Sequence, residues 1–368
     1  MMRSTTSLAA AVLLVLGAAA PAAAAAPPGP ACGDTVTGEV HLTRNLTCTT
    51  VGLVLAPGAV LDLDGHTLRG PGPVAGWALQ TDVESTVPGE APVTVRDGRV
   101  MGWAQVLGAE AGVLDVVVED VRFTHNGTVM FAEQVHAVVE RSRFADNATA
   151  INGLGGAVEV WDSTFVRNEV TALNLGPYYP SIQVTGSRFA DNGLAVGCSE
   201  GRVVVDSTTL RRNDAGVSSG WCEMTLTGST LADNEVGLRT RMVSPTFQGL
   251  VDTISGNLFV RNGIGADLAV GATVADNTFL RNGRGLYSET AEGVPVEQMV
   301  LAGNTAHRNE LDGIWVDTTG TVEVQGNAAN HNGGQGIVVP HATDLGGNTA
   351  RGNGVEPQCV GVVCAPRS

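Results

Sequence analysis

The chain has 368 residues, with 48 glycines, 37 acidic side chains against 21 basic ones, and a formal net charge of −16. All 21 basic residues are arginine, so a lysine general base, a lysine Schiff base and a phosphate loop with its lysine are excluded. The acidic balance excludes a general nucleic-acid binder, which must neutralise phosphate, and aromatics at 4% argue against a thick conventional core.

At the N-terminus Arg3 precedes an apolar run from Leu8 to Ala20, followed by Pro21 and an alanine tract. This is the pattern of a secretory signal peptide ending near Ala24–Ala26. The run is shorter than the roughly 20 residues that cross a bilayer. We therefore expect a leader over 1–26 and one exported domain over 27–368, extracellular and without a membrane span. Export supports reading the six cysteines as disulfides. Cys32–Cys48 and Cys359–Cys364 are near neighbours that would clamp the two ends, which leaves Cys198–Cys222. The spacings fit no zinc finger.

From residue 118 onward the sequence repeats. VVERSRFADN (138–147), IQVTGSRFADN (182–192) and VADNTFLRN (274–282) each end on an asparagine. The anchors are Asn126, Asn147, Asn168, Asn192, Asn213, Asn234, Asn262, Asn282, Asn309, Asn332 and Asn353. Three residues before each stands Phe or Leu, from Phe123 to Phe279, and then Ala306, Ala329 and Ala350. Five before stands Ser or Thr (Ser142, Ser163, Ser187, Thr208, Ser229), and later Asn (Asn257, Asn277, Asn304, Asn327, Asn348). Eight before, the residue is apolar from Val118 to Leu345, and ten before it is usually apolar too. After each anchor come a small residue and an apolar–x–apolar triplet such as Ile314-Trp315-Val316. This alternation predicts short strands with one buried face. Such strands cannot bury that face alone and must stack coil on coil. Asn and Gly are expected in the turns because they tolerate left-handed backbone. The anchor asparagines are expected to bond to one another along the axis.

The pattern resembles the right-handed parallel β-helix of the pectate-lyase-like superfamily, especially its NosD-type repeat proteins. CGDTVTGEVHLTRNLTC (32–48) and LDLDGHTL (61–68) look like the N-terminal cap of secreted bacterial members, and GNGVEPQCVGVVC (352–364) like their closing cap. The resemblance implies an all-β, right-handed parallel β-helix of about 13 coils, counting degenerate ones near Leu61–Leu68 and Val93–Val100. Residues 32–70 would be the N-terminal cap with the first coil, and 352–364 the C-terminal cap.

The residue before each anchor alternates in charge: Asp146, Arg167, Asp191, Arg212, Asp233, Arg261. Opposite charges on adjacent rungs disfavour register slips. Arg261, Arg281 and Arg308 then follow without an intervening acid. They are expected to form an anion-binding stripe for uronate or sulfate groups, unless Glu289, Glu292 and Glu310 neutralise them. A second outward row reads Asn152, Asn174, Gly197, Ser218, Arg239, Asp267, Tyr287, Trp315, Val338. Its centre suits sugar recognition, with rings to stack on pyranose faces and charged groups to take hydroxyls or a carboxylate. Loops 240–252 and 288–298 would wall it.

These residues point to binding or processing of an extracellular polysaccharide along the rod. In an enzyme of this kind, a lyase or glycoside hydrolase, Asp267 would be the acid/base and Arg239 would pair the substrate's charge. Tyr287 and Trp315 would be stacking platforms. A non-catalytic, adhesin-like β-helix is the alternative, and a NosD-like accessory protein a third. Lyases of the resembled family hold calcium in clustered acids, but no compact Asp cluster on three adjacent coils is legible, and Glu119-Asp120 reads as a strand end. His307 and His331 lie on neighbouring coils without a thiol or thioether, so no metal site is assigned. We expect no cofactor, with calcium the open alternative, a glycan partner, no nucleic acid, and a monomer.

Overall fold

The computed structural model describes residues 29–81, 91–108, 112–241, 251–269, 271–289, 298–318 and 320–365. The leader assigned to 1–26 lies outside them. Among the described residues every regular element is a strand, and no helix is long and apolar enough to cross a membrane.

Each coil carries three strands. In one coil they are Arg202–Asp206, Thr209–Arg211 and Ala215–Gly220; in the next, Glu223–Thr227, Thr230–Ala232 and Val236–Arg241. Each pairs in parallel with its counterpart, as Val203 with Met224, Leu210 with Leu231 and Val217 with Leu238. Repetition builds a first, a second and a third sheet around a solenoid of about 13 turns. The inward positions, such as Val203, Val205, Leu210 and Val217, are fully buried. Phe123, Phe144, Phe165 and Phe189 stack with centroids 4.6–4.9 Å apart, and Phe259 stacks on Phe279 at 4.8 Å. The low aromatic content is thus concentrated in a narrow core.

The anchors form a continuous ladder. Asn213 donates from Nδ2 to Asn234 Oδ1 at 3.1 Å and to the Phe189 carbonyl at 3.4 Å. Its Oδ1 accepts the Asn192 backbone N–H and Nδ2, both at 3.0 Å. The serines and asparagines five before the anchors form a second ladder. The Ser163 backbone N–H donates to Ser187 Oγ at 3.0 Å, and Asn257 Nδ2 to Asn277 Oδ1 at 3.0 Å. Side chains thereby fill backbone groups at corners that strand pairing leaves unfilled.

The left-handed backbone is not on the ladder residues, as expected from the sequence, but on the residue before each. Asp146, Arg167 and Asp191 precede anchors at φ of 58°, 53° and 60°. Arg141, Asp162 and Gly186 precede the second ladder at 46°, 47° and 62°. Such a conformation costs a non-glycine residue about 1–2 kcal/mol, which the buried ladder bonds offset.

The C-terminal end closes both ladders with side-chain acceptors. Gln358 Oε1 takes the backbone N–H and Nδ2 of Asn353 at 2.9 and 2.7 Å. Asp344 Oδ1 takes Asn348 Nδ2 at 2.9 Å, while its Oδ2 takes the Val363 N–H at 2.7 Å. These bonds, the Val363 one foremost, hold the Asp344 carboxyl below its ordinary value. The cap also displaces Leu345, whose position in the repeat predicts an inward side chain. Pairing slips between Val324 and Gln325, Asp344 sits opposite Val324, and Leu345 is 50% exposed.

Disulfides join Cys32–Cys48, Cys198–Cys222 and Cys359–Cys364. The first and last lie at the ends. The middle one ties neighbouring rungs, since Cys198 lies in register with Ser219, three residues before Cys222.

One core position is anomalous. Asp252 is 1% exposed; its Oδ1 accepts the Met224 N–H at 2.9 Å, while its Oδ2 has no partner. Burial pushes its carboxyl up to about 7. Because the folded value lies above the unfolded one, its stabilising effect is full below pH 4. It is lost as pH rises from about 4 to 7. Asp252→Asn should remove that decline and raise stability at pH 8 by roughly 2–4 kcal/mol, read from urea denaturation at several pH values.

The ladder and the outer charges should differ sharply in weight. Asn213→Ala strands two buried donors of Asn192 and should cost about 3 kcal/mol or more. Asp191→Asn keeps a residue that tolerates φ > 0 and removes only an exposed pair, costing under about 1 kcal/mol. Urea midpoints of the two variants would check this.

Candidate functional site

The third sheet carries the outward row in register. Ser218, Arg239, Asp267, Tyr287, Trp315 and Val338 pair successively across six coils. Asn152, Asn174 and Gly197 continue it toward the N-terminus. Strand spacing puts neighbours ~4.8 Å apart along the axis.

The groups in this row are already engaged. Asp267 Oδ2 lies 3.4 Å from Arg239 Nε and 3.5 Å from an Arg241 guanidinium nitrogen, and the Asp267 side chain is only 14% exposed. The Tyr287 hydroxyl donates to the Glu289 carboxylate. The Arg284 guanidinium sits 4.4 Å from the Tyr287 ring centroid and covers one face of it. Burial, then the Glu289 carboxylate, pushes the phenol above its ordinary value. Trp315 is half-buried. Two residues further along the same strands, Glu289 lies in register with Asp317. Both are exposed, so two carboxylates stand on adjacent coils beside Tyr287 and Trp315. Of the loops expected to wall the row, residues 242–250 and 290–297 lie outside the described residues, and Glu292 with them.

The arginine stripe is shorter than the sequence suggests. Arg261 is paired by two hydrogen bonds to Asp233, at 2.6 and 2.8 Å. It repeats the pairings of Arg167 with Asp146 and Arg212 with Asp191. Each arginine reaches back one coil, so the alternation ends at Arg261 and not before it. These guanidinium groups hold Asp146, Asp191 and Asp233 below the ordinary carboxylate value. Arg281 and Arg308 remain exposed, with no ion pair to Glu289 or Glu310 among the described residues. His331 continues that row, and its ring meets His307 edge-on at 5.3 Å.

A second concentration of charge escapes the sequence reading. Asp64, Asp97 and Asp120 stack on three adjacent coils, each in left-handed backbone at the corner between first and second sheets. Sequence analysis expects no such cluster. With Arg99 and Arg122 they line a cleft of about 800 Å³. At the cleft's edge Glu39, His41 and Asp62 lie close enough together to hold a metal ion. The Arg96 guanidinium occupies that position, 3.0 Å from Asp62 and 2.7 Å from Glu39.

The right-handed beta helix region family matches residues 181–365, half of the sequence. The chain belongs to this β-helix family. No curated protein sequence matches it. Among solved structures this β-helix is similar to the catalytic unit of a thermostable GH87 alpha-1,3-glucanase from Streptomyces thermodiastaticus strain HF3-3. That match has 17% identity and a TM-score of 0.43, and covers 86% of this chain and 62% of that one. The β-helix thus spans less than two thirds of the glucanase unit. It is also similar to the A-module of a mannuronan C-5 epimerase from Azotobacter vinelandii, at 14% identity and a TM-score of 0.30. That match covers 90% of this chain and 91% of the other.

Within the β-helix, the signal that would have found Glu289 and Asp317 is their place two residues beyond Tyr287 and Trp315. The signal for Asp64 and Asp97 is a left-handed corner, which aspartate tolerates better than most residues. Asn45, Asn126 and Asn147 head Asn-x-Thr triplets; Asn126 and Asn147 are buried in the ladder, and Asn45 is exposed.

Proposed function

We propose that this is a secreted β-helix that binds an extracellular polysaccharide along the outward face of its third sheet. One observation carries the reading: Arg239, Asp267, Tyr287 and Trp315 stand on four successive coils in strict register. A ladder of that kind offers a linear polymer repeated contacts at a fixed rise, with a ring as apolar platform and charged groups for hydroxyls. Arg281 and Arg308, at the corner where this sheet begins, add positive charge suited to an acidic chain. The leader pattern and three disulfides support export.

A second reading, catalysis, is favoured by Glu289 and Asp317. In-register carboxylates on adjacent strands fall in the range of about 5–10 Å used in glycosidic hydrolysis. Asp267, held by two guanidinium groups, is the charge partner of the row in this reading and not its proton shuttle.

A glycan array followed by calorimetry tests binding. Trp315→Ala should weaken the best ligand at least tenfold, about 1.4 kcal/mol, and unchanged affinity removes the site from this face. Reducing-end and ultraviolet product assays on the same glycans test turnover. Hydrolysis lost in both Glu289→Gln and Asp317→Asn supports the catalytic reading, and absence of any product leaves a binding protein.

A further inference from the structure

We propose that the cleft between the first and second sheets near the N-terminus is a separate binding site for a neutral, polyhydroxylated ligand such as a stretch of uncharged glycan. The site is an open cleft of about 800 Å³, walled by Asp64, Asp97 and Asp120 on one side and by Arg99 and Arg122 beside them. Both rows follow the coil repeat: Asp97 and Asp120 stand at the same turn between the pairs Arg96–Glu119 and Gly98–Val121, and Arg99 pairs with Arg122. Gly98 pairs with Val121 at the place where later coils carry ladder serines or asparagines, and its missing side chain leaves room for the buried Leu63 beneath the cleft. A Cβ on Gly98 would lie 2.4 Å from Leu63 Cβ.

Two guanidinium groups in this cleft are unspent. Elsewhere on the surface, arginines reach back one coil and close on an aspartate with two bonds, as Arg212 does on Asp191. Arg99 and Arg122 make no ion pair among the described residues, although aspartates line the same space and stacked like charges repel. Arg96 reaches Asp62 and, at 3.9 Å, Asp97, while Arg141 reaches Asp120; both also hold a glutamate outside the lining, Glu39 and Glu140. The four lining aspartates thus face four guanidinium groups, those of Arg96, Arg99, Arg122 and Arg141, so the lining itself does not single out a polyanion or a polycation. What it offers is acceptors and donors side by side. Vicinal hydroxyls fit both: each O–H donates to a carboxylate while its oxygen accepts from a guanidinium. No ring lines the cleft, so recognition there is by hydrogen bonding, unlike that proposed for the third sheet.

The test uses the full exported chain carrying Trp315→Ala, so that the third-sheet face is silenced and the two proposals fail separately. Cellohexaose, laminarihexaose and maltohexaose, an oligogalacturonate of equal length and calcium chloride are titrated by calorimetry. Asp97→Asn and Arg99→Gln are then added singly. Asparagine accepts the left-handed backbone of Asp97, so the fold is kept, and an unchanged melting curve verifies it. The expected result is binding of at least one neutral hexaose, weakened tenfold or more by either substitution. Binding confined to the oligogalacturonate or to calcium, neutral binding indifferent to both substitutions, or no neutral binding at all would each overturn the proposal.

Discussion

A buried carboxamide whose hydrogen-bonding positions are all filled by neighbouring coils is the unit on which this solenoid rests. From Asn147 to Asn332 each anchor asparagine bonds forward to the next anchor and back to the coil before, and its oxygen takes two donors, as at Asn213. A coil that slipped by one residue would leave several of these groups dry, at about 1–3 kcal/mol each. Register is therefore fixed at the corners, and the short strands between them inherit it. The same constraint explains why aspartates and arginines accept left-handed backbone beside most anchors: the corner must turn so that the next side chain can enter the ladder.

Because the interior is set by two polar ladders and a thin apolar stack, the outward positions are released from packing. Their chemistry changes from coil to coil while their spacing does not. Rows of unlike character can then coexist on one rod: alternating charge at the anchor corner, an aromatic and carboxylate row on the third sheet, and acids beside arginines near the N-terminus. Two disulfides sit at the ends, where a coil has a neighbour on one side only, and a third ties rungs just before the first long loop.

Much of this architecture is legible in the sequence because the anchor asparagines and their flanking positions recur with little variation. The third-sheet row is legible for the same reason, since its members keep a fixed offset from their anchors. What escapes is whatever departs from that period. Asp64, Asp97 and Asp120 lie 33 and 23 residues apart, the first two in coils without an anchor asparagine, so nothing in the spacing announces that they stack. Arg261 looks unpaired only until the pairing direction is known, for its partner Asp233 lies one coil back across 28 residues. Leu345 fits the pattern and is displaced by the cap, an effect of the last coil having no successor. The guanidinium of Arg284 over Tyr287 depends on side-chain direction, which periodicity does not encode.

The ladders also give the rod an electrical direction. Every anchor amide points its oxygen toward the N-terminal coils and donates one of its two N–H groups to the next coil on the C-terminal side, so the carboxamide dipoles share an axial component that adds from coil to coil. The donor-rich, positive end falls at the C-terminal cap. There the Gln358 oxygen closes one row, and the Asp344 carboxylate, a full negative charge, closes the other. With no α-helix among its described residues, the β-helix thus carries an axial dipole, and its closing cap is built as a counter-charge as well as a lid.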